Sequence, residues 1–181
     1  QHHIYELSTQ DTLSENPVLT LPSQALTLAS GEEQKSQATS VLKNPKLWGP
    51  IPHQTPHRYA VVTSVIQNGK TLDQYTTPFG VRKLAFNPDT GVVVNGEHIP
   101  LQGVNQHHDL GALGAAFNLR AAQRQLNILQ EMGVNAIRMA HNPPAPELLT
   151  LTDKMGILVL NESFDSWYKK KTPLDFHLIF A

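Results

Sequence analysis

The sequence contains no cysteine and few charged residues. The absence of cysteine excludes a disulfide framework and a thiolate metal site, but it leaves the cellular compartment open because secreted chains can also lack cysteine. Charged residues make up 16% of the chain, below the roughly 25% typical of soluble domains. The 14 Lys and Arg residues are balanced by 15 Asp and Glu residues, so the chain lacks the basic surface with which proteins bind nucleic acid or anionic lipid. A neutral partner fits this composition better.

Long apolar runs are also missing. No run approaches the roughly 18 residues that a membrane-spanning helix needs, and the N-terminal segment has no hydrophobic signal region. We therefore expect a soluble chain with no membrane partner, and a periplasmic, a secreted and a cytoplasmic location all agree with the sequence. The 181 residues are 40% hydrophobic and include 13 prolines, which indicates a globular, loop-rich chain that can bury a core.

The first eighty residues carry short strand patterns separated by turn residues. In the clearest pattern, alternating apolar positions flank the dipeptide Asn68-Gly69, which is typical of a β-hairpin. The predicted strands are residues 4–7, 24–28, 38–42, 59–67 and 71–75. Several short strands without a helical period favour a β-sandwich.

The pattern changes after Phe79, where strands begin to alternate with helices. A strand, the turn Asn95-Gly96 and a second strand at 98–104 precede a helical pattern, with Asn118 as the expected N-cap and Gly133 as the expected end. Apolar runs then predict a buried strand within 134–140, a second helix within 145–156 and another buried strand within 157–162. This alternation predicts parallel β/α units joined by right-handed crossovers.

Three parallel strands are thus expected, near 101–105, 136–139 and 157–161. A closed (β/α)8 barrel takes about 250 residues, so we expect the chain to hold only the beginning of such a barrel. The predicted organisation is a β-sandwich domain at 1–80 followed by the N-terminal part of a barrel at 81–181.

Polar side chains follow each of these strands, at the carboxyl ends where functional residues of parallel sheets gather. They are Asn105, Gln106, His107, His108 and Asp109 after the first strand, Arg138, His141 and Asn142 after the second, and Asn161, Glu162, Asp165 and Trp167 after the third. Polar loops are common, but three in succession indicate a functional rim.

The run His107, His108 and Asp109 raises the question of a metal site. Adjacent side chains of an extended segment point in opposite directions, so two neighbouring histidines rarely share one ion. We therefore predict no metal site in this chain and interpret the run as solvated or structural.

Longer stretches of the chain match a known enzyme family. They are LKNPKLWGP, FGVRKLAF, VNGEHIPLQGVNQHHD and MGVNAIRMAHNPPAPELLTLTDKMGILVLNESFDSW. Together they resemble glycoside hydrolase family 2, the β-galactosidase and β-glucuronidase family, over essentially the whole chain. The residues that stand at the spacing of the family's first signature are Asn135, Arg138, His141, Pro143, Asp153 and Gly156. Met139 departs from the small residue usual in the family, and Asn142 stands where tyrosine is common.

The resemblance implies an immunoglobulin-like sandwich that leads into a TIM (β/α)8 barrel and a retaining reaction. Such a reaction uses a nucleophile and an acid/base carboxylate about 5 to 5.5 Å apart. In the family these two glutamates follow the seventh and the fourth barrel strand, whereas this chain contains three strands. We therefore expect the chain to lack both and to be inactive alone.

The expected partners are a carbohydrate substrate and the remainder of the catalytic barrel, and a homo-oligomer also agrees with the sequence. No cofactor is predicted in this chain. The divalent cation that some family members bind near the active site would be held in the full enzyme by residues past Ala181.

Glu162 follows Asn161, and an Asn-Glu pair at a strand end looks like the family's acid/base motif. The pair follows the third strand, however, where the family usually has Asp-Glu. We therefore favour a supporting role at the rim for Glu162, with the acid/base role as the alternative. Asp165 lies on the same short loop and would approach a sugar from the same side, which suits binding better than double displacement.

Arg138 ends a buried apolar strand, where an unpaired charge is costly. The resemblance implies that Arg138 holds the nucleophile ionised and oriented, with a plain surface charge as the alternative. It also implies that His141 forms a hydrogen bond with a sugar hydroxyl, with a structural histidine as the alternative. Trp167 fits a stacking platform for a sugar ring and the barrel core equally well, and Asn142 completes the predicted substrate-binding set.

The sequence therefore predicts part of a retaining, exo-acting glycoside hydrolase. We expect a β-galactosidase, with glucuronic acid and mannose as alternative sugars. A non-catalytic carbohydrate-binding or interaction module built on the sandwich is the alternative from a different class of function.

Overall fold

The computed structural model of the protein describes residues 1–166, 169–175 and 178. The chain forms two compact units. Unit 1 comprises Gln1–Trp48 and His57–Arg82, and unit 2 comprises Gly49–Pro56 and Lys83–Ala181.

Unit 1 contains a four-stranded antiparallel sheet with the strand order β2-β1-β3-β4. The strands are β1 (His2–Leu7), β2 (Leu19–Thr20), β3 (Arg58–Gln67) and β4 (Lys70–Phe79). Asn68 and Gly69 join β3 to β4 with φ values of 50° and 76°. Positive φ at both positions is the geometry of the two-residue hairpin turn that an Asn-Gly pair favours. The predicted hairpin is therefore confirmed.

Trp48 is buried in unit 1 and constrains the backbone around it. The Arg82 guanidinium carbon lies 4.9 Å from the centre of the indole ring, a distance typical of a cation–π contact. A Cβ atom at Gly80 would come within 2.9 Å of the Trp48 Cβ atom. Glycine at position 80 is therefore required by packing against Trp48.

Two predicted strands of this unit, at 24–28 and 38–42, are wrong. Residues 21–47 form no strand in the structure, and Leu26, Leu28 and Val41 are exposed. The apolar alternation there is a weak signal because strand formation depends on a partner strand and on burial of one face. Among the described residues of unit 1, the structure therefore has a single sheet.

Unit 2 contains a small antiparallel sheet and a parallel sheet covered by two helices. The antiparallel sheet has the order β5-β6-β7 and the parallel sheet the order β10-β9-β8. The elements are β5 (Leu84–Asn87), β6 (Gly91–Val94), β7 (Glu97–His98), β8 (Gly103–Gln106), α1 (Leu119–Glu131), β9 (Ala136–Met139), α2 (Pro146–Met155) and β10 (Leu158–Asn161). The predicted alternation of parallel strands and helices is confirmed.

The helices begin and end where their sequence signals are. The Asn118 side chain accepts a hydrogen bond from the Ala121 amide and caps α1, and Gly133 follows that helix with φ of 88°. Pro146 occupies the first turn of α2, and Gly156 ends it in the left-handed conformation. These are the favoured positions of asparagine, proline and glycine at helix ends.

One face of the parallel sheet packs on both helices. Ile137 of β9 lies in a core with side chains from α1, from α2, from β9 itself and from the residues just before β9 and β10. They are Ala122, Leu126, Val134, Met139, Leu148, Leu151 and Ile157. Side chains alternate between the two faces of a strand, so Arg138 points to the face opposite this core. Its register partners are Asn105 on β8 and Leu160 on β10, and they share that face.

The predicted strand 98–104 is interrupted in the structure. β7 ends at His98 and β8 begins at Gly103, because Pro100 has no amide hydrogen for a strand ladder. The buried Asn135 side chain bridges the interruption: its Nδ2 donates to the Pro100 carbonyl at 2.9 Å, and its Oδ1 accepts from the Gln102 amide at 2.9 Å.

Among the residues described above, no helix has the length and apolar character to span a bilayer.

Candidate active-site rim

The carboxyl ends of β8, β9 and β10 lie at one edge of the parallel sheet, which we call the rim. Arg138 stands on the central strand β9, Glu162 directly follows β10, and His141 lies two residues beyond β9. All three side chains are partly exposed, with exposed fractions of 37% for Arg138 and His141 and 22% for Glu162. They are therefore within reach of a ligand at the rim.

The Glu162 carboxylate joins Arg138 and His141. Its Oε1 accepts a hydrogen bond from Arg138 Nε at 2.7 Å, and Arg138 Nη2 lies 2.5 Å from the same oxygen as part of the ion pair. Its Oε2 is 2.8 Å from His141 Nδ1. Both carboxylate oxygens are thus occupied, and the charge of Arg138 is paired.

These contacts lower the pKa of Glu162 below its ordinary value. The largest cause is the hydrogen bond from His141, and the hydrogen bond and charge of Arg138 act in the same direction, while burial opposes them. Hydrogen bonds and opposite charges stabilise the ionised form of a carboxyl group. Glu162 is therefore a carboxylate at neutral pH.

Asn105 and His107 extend this cluster along β8 and the loop after it. Asn105 Oδ1 accepts from Arg138 Nη1 at 3.3 Å. The imidazole rings of His107 and His141 meet edge to face, with their centres 5.7 Å apart. The sequence placed both residues near the rim but did not single them out as partners of Arg138 and His141. The parallel register, which pairs Asn105 with Arg138, is the signal that identifies Asn105.

A cavity of about 280 Å³ lies beside the rim in unit 2. It is enclosed by the loops after β8 and β9, and its walls include His107, Asp109, Phe117, Met139 and Pro144. Gln106 also lines this cavity, and its Oε1 atom is buried with no hydrogen-bond partner among the described residues. The Gln106 Nε2 group donates instead to Gln125 of α1 at 2.8 Å.

The other residues predicted at the rim do not join the ionic cluster. Asn142 and Asp165 are exposed, and the carboxylate contacts of Glu162 are with Arg138 and His141. Trp167 lies outside the described residues. Within 1–166, 169–175 and 178, no group of three or more His, Cys, Asp and Glu residues could hold a metal ion.

Two matches to known protein families cover most of the chain. Residues 4–82 match the family described as "Glycosyl hydrolases family 2". Residues 88–169 match "Glycosyl hydrolases family 2, TIM barrel domain". The chain therefore combines the sandwich-type domain of this family with a portion of its TIM barrel.

Individual proteins show the same similarity. Beta-galactosidase BoGH2A of Bacteroides ovatus is 48% identical over 147 residues, which are 81% of this chain and 17% of that protein. A beta-glucuronidase of Bacteroides fragilis is 35% identical over 145 residues, which are 80% of this chain and 21% of that protein. The crystal structure of a beta-glycosidase from Bacteroides vulgatus superposes with a TM-score of 0.76 at 31% identity, over 99% of this chain and 21% of that one.

The chain thus spans about a fifth of the length of the relatives it matches. Within that span, the matches extend over both units and include Arg138, His141 and Glu162. On these grounds the chain belongs to glycosyl hydrolase family 2.

Proposed function

We propose that this chain is part of a retaining, exo-acting glycoside hydrolase and that its own rim residues bind the sugar without cleaving it. The observation that carries the proposal is the state of Glu162. A general acid must hold a proton near neutral pH, which requires a raised pKa. The pKa of Glu162 is instead lowered, and both its oxygens already accept hydrogen bonds. A supporting role therefore fits Glu162 better than the acid/base role.

The fold assigned to the chain follows from the same proposal. Residues 1–80 correspond to an immunoglobulin-like sandwich domain and 81–181 to the N-terminal part of the barrel, with β8, β9 and β10 as its first three strands. The two reacting carboxylates then come from later strands, which makes the remainder of the barrel the partner of this chain. The 181 residues are inactive alone on this proposal.

Arg138 and His141 are the central substrate-side residues of the proposal. The guanidinium carries five N–H groups, so its contacts with Glu162 and Asn105 leave N–H groups on Nη1 and Nη2 to hold a second, reacting carboxylate. His141 is exposed enough to reach a sugar hydroxyl. Asn142 and Asp165, exposed on the adjoining loops, would contribute further hydrogen bonds. Trp167 would contribute a stacking surface for the sugar ring.

We propose galactose as the sugar and glucuronic acid as the principal alternative. The support is the difference between 48% identity to a beta-galactosidase and 35% identity to a beta-glucuronidase over nearly the same length. A mannoside remains a third candidate. A homo-oligomer is compatible with each of these choices.

The alternative function, a non-catalytic module built on the sandwich, is less favoured because the family match extends through the barrel portion. The two functions differ in where a sugar binds. A module would bind through unit 1, whereas the proposed hydrolase binds through the rim of unit 2.

The test combines turnover and binding. The chain should hydrolyse none of the nitrophenyl β-glycosides of galactose, glucuronic acid and mannose. Amide NMR titration with galactose should shift the signals of Arg138 and His141, and Arg138→Gln should abolish the shift of His141, whereas Arg124→Gln at an exposed position of α1 should not. Turnover that persists on repurification and disappears in Glu162→Gln would overturn the assignment, and shifts confined to unit 1 would favour the module.

A further inference from the structure

The hydrogen bond between Glu162 and His141 determines where the proton of the imidazole lies. An ionised carboxylate can only accept hydrogen bonds. Glu162 Oε2 lies 2.8 Å from His141 Nδ1, so Nδ1 must carry the hydrogen in this contact. In the neutral ring, the other nitrogen, Nε2, is then an acceptor.

We propose that Glu162 is a positioning residue that fixes His141 in its Nδ1–H form, so that Nε2 presents a hydrogen-bond acceptor to a sugar hydroxyl. The identity of the ligand as a sugar rests on the proposed function, whereas the tautomer rests on the geometry of the cluster. Glu162 itself touches no reacting atom in this role.

Arg138 makes the arrangement directional. Its Nε donates to Glu162 Oε1 and its Nη2 forms an ion pair with the same oxygen, which holds Oε1 in place while Oε2 contacts His141. Arg138 is in turn held by Asn105. Moving Oε1 of the carboxylate away would therefore break both the hydrogen bond and the ion pair with the guanidinium.

An amide at position 162 would reverse the arrangement. Glutamine has one acceptor oxygen and one NH2 group, and the guanidinium of Arg138, which has no acceptor, would take the oxygen. The NH2 group would then face His141 Nδ1, which could pair with it only as an acceptor. The hydrogen would move to Nε2, and the atom offered to the ligand would change from an acceptor to a donor.

The groups around His141 agree with this assignment. Among the residues that the structure describes, the charged groups in contact with it are Glu162 and, through that carboxylate, Arg138. The His107 ring approaches edge to face rather than through a hydrogen bond, so it does not compete for Nδ1. The ring of His141 keeps a 37% exposed fraction, which leaves room for a ligand.

An acceptor at Nε2 has a consequence for the substrate. It pairs with a hydroxyl group, which can donate, and it repels the carboxylate of a uronic acid, which cannot. Sites built to bond a particular hydroxyl reject analogues that lack it. The proposed Nε2 acceptor therefore selects a sugar hydroxyl at this position.

The experiment is NMR of the 181-residue chain labelled with 15N in its histidine rings, at a pH where the rings are neutral. Long-range 1H–15N spectra distinguish the two tautomers, and His141→Gln identifies the signals of His141. In the wild type the Nδ1–H form should exceed the other by about tenfold, as expected for a charge-assisted hydrogen bond. In Glu162→Gln the Nε2–H form should predominate, whereas Glu147→Gln, on the exposed first turn of α2, should leave the ratio unchanged.

The wild-type spectrum alone can overturn the proposal, because a predominant Nε2–H form would contradict it even if the variant fails to fold. An unchanged ratio in a folded Glu162→Gln chain would also contradict it. The result is separable from the sugar test. The Nδ1–H tautomer without galactose binding would contradict the proposed function but leave the positioning role of Glu162. Galactose binding with a predominant Nε2–H tautomer would leave the proposed function but contradict the positioning role.

Discussion

Arg138 stands on β9 and Glu162 directly follows the neighbouring strand β10, and two nitrogen atoms of the guanidinium contact the same carboxylate oxygen: Nε donates a hydrogen bond at 2.7 Å and Nη2 forms an ion pair at 2.5 Å. A point charge could not make this paired contact, which depends on the planar fork of arginine. The contact places a paired cation on the exposed face of an otherwise apolar strand.

Arg138→Gln should raise the pKa of Glu162 toward its ordinary value, because the hydrogen bond and the charge of Arg138 both lower it. The pKa should stay partly lowered, since the largest single cause, the hydrogen bond from His141, remains. The measurement is a titration of the Glu162 side-chain 13C signal. Arg124→Gln on α1 should leave the titration unchanged, and an unchanged titration in Arg138→Gln would contradict the pairing.

The Glu162 contacts should make the stability of unit 2 sensitive to acid. A carboxyl whose pKa is lowered by folding contributes stability above its ordinary value of 4.5, and that contribution is lost as the pH falls through the lower folded pKa. Urea unfolding at neutral pH and in steps below pH 4.5 should therefore show a smaller acid loss in Glu162→Gln than in the wild type. Equal losses in the two proteins would count against the cluster.

Asn135→Ala should destabilise unit 2, because it removes the hydrogen bonds to the Pro100 carbonyl and the Gln102 amide. A typical hydrogen bond contributes roughly 0.5–1.5 kcal/mol to stability. Asn135→Asp keeps the acceptor for Gln102 but buries a carboxylate oxygen against the Pro100 carbonyl, so it should also destabilise unit 2 in urea unfolding at neutral pH. Asn127→Ala, at an exposed position of α1, is the control, and a similar effect there would refute the assignment.

His57 should make unit 1 less stable below pH 6.5. Burial lowers the pKa of His57, against the opposing effect of Glu6, and its buried Nε2 has no hydrogen-bond partner among the described residues. Because the unfolded chain binds the proton more tightly, the stability is complete above 6.5 and decreases as the pH falls through the lower folded pKa. His57→Phe keeps the edge-to-face contact with Tyr59 and should flatten this part of the pH profile; parallel profiles would exclude His57 as the cause.

Gly80→Ala should destabilise unit 1, since the added Cβ would lie 2.9 Å from the Trp48 Cβ. Forcing an extra carbon into a packed site typically costs about 1–3 kcal/mol. Thr76→Ala, exposed on the strand β4 that precedes Gly80, provides the control. Urea unfolding followed by tryptophan fluorescence measures the stability of both variants. If Gly80→Ala is as stable as the wild type, the contact with Trp48 does not require glycine at position 80.

Local signals explain what could be predicted about the fold. The Asn68-Gly69 turn, the Asn118 cap and the Gly156 stop act within a few residues, so the sequence alone identifies them. Whether residues 24–28 and 38–42 form strands depends instead on a distant partner strand, which an apolar pattern does not reveal. The prediction of strands there was therefore wrong. The interruption at Pro100 has a local signal, but the Asn135 side chain that bridges it comes from a residue far along the chain.

The rim was predictable in outline and not in detail. Strand ends place Arg138, His141 and Glu162 at one edge of the sheet, because parallel strands share a carboxyl edge. Which side chains then meet depends on the register, and that register sets Asn105 and Leu160 beside Arg138. The family resemblance implied that Arg138 holds a reacting carboxylate. The structure adds that Glu162 and Asn105 are the present partners of Arg138.

The position of β9 at the centre of its sheet has a further consequence for motion at the rim. Its backbone forms ladders with β8 on one side and β10 on the other, so its amides should exchange hydrogen more slowly than those of the two outer strands. Arg138 belongs to this slowly exchanging strand, whereas His141 and Glu162 lie on the segments just past strand ends. An opening confined to those two segments would leave the backbone of Arg138 held in its ladders.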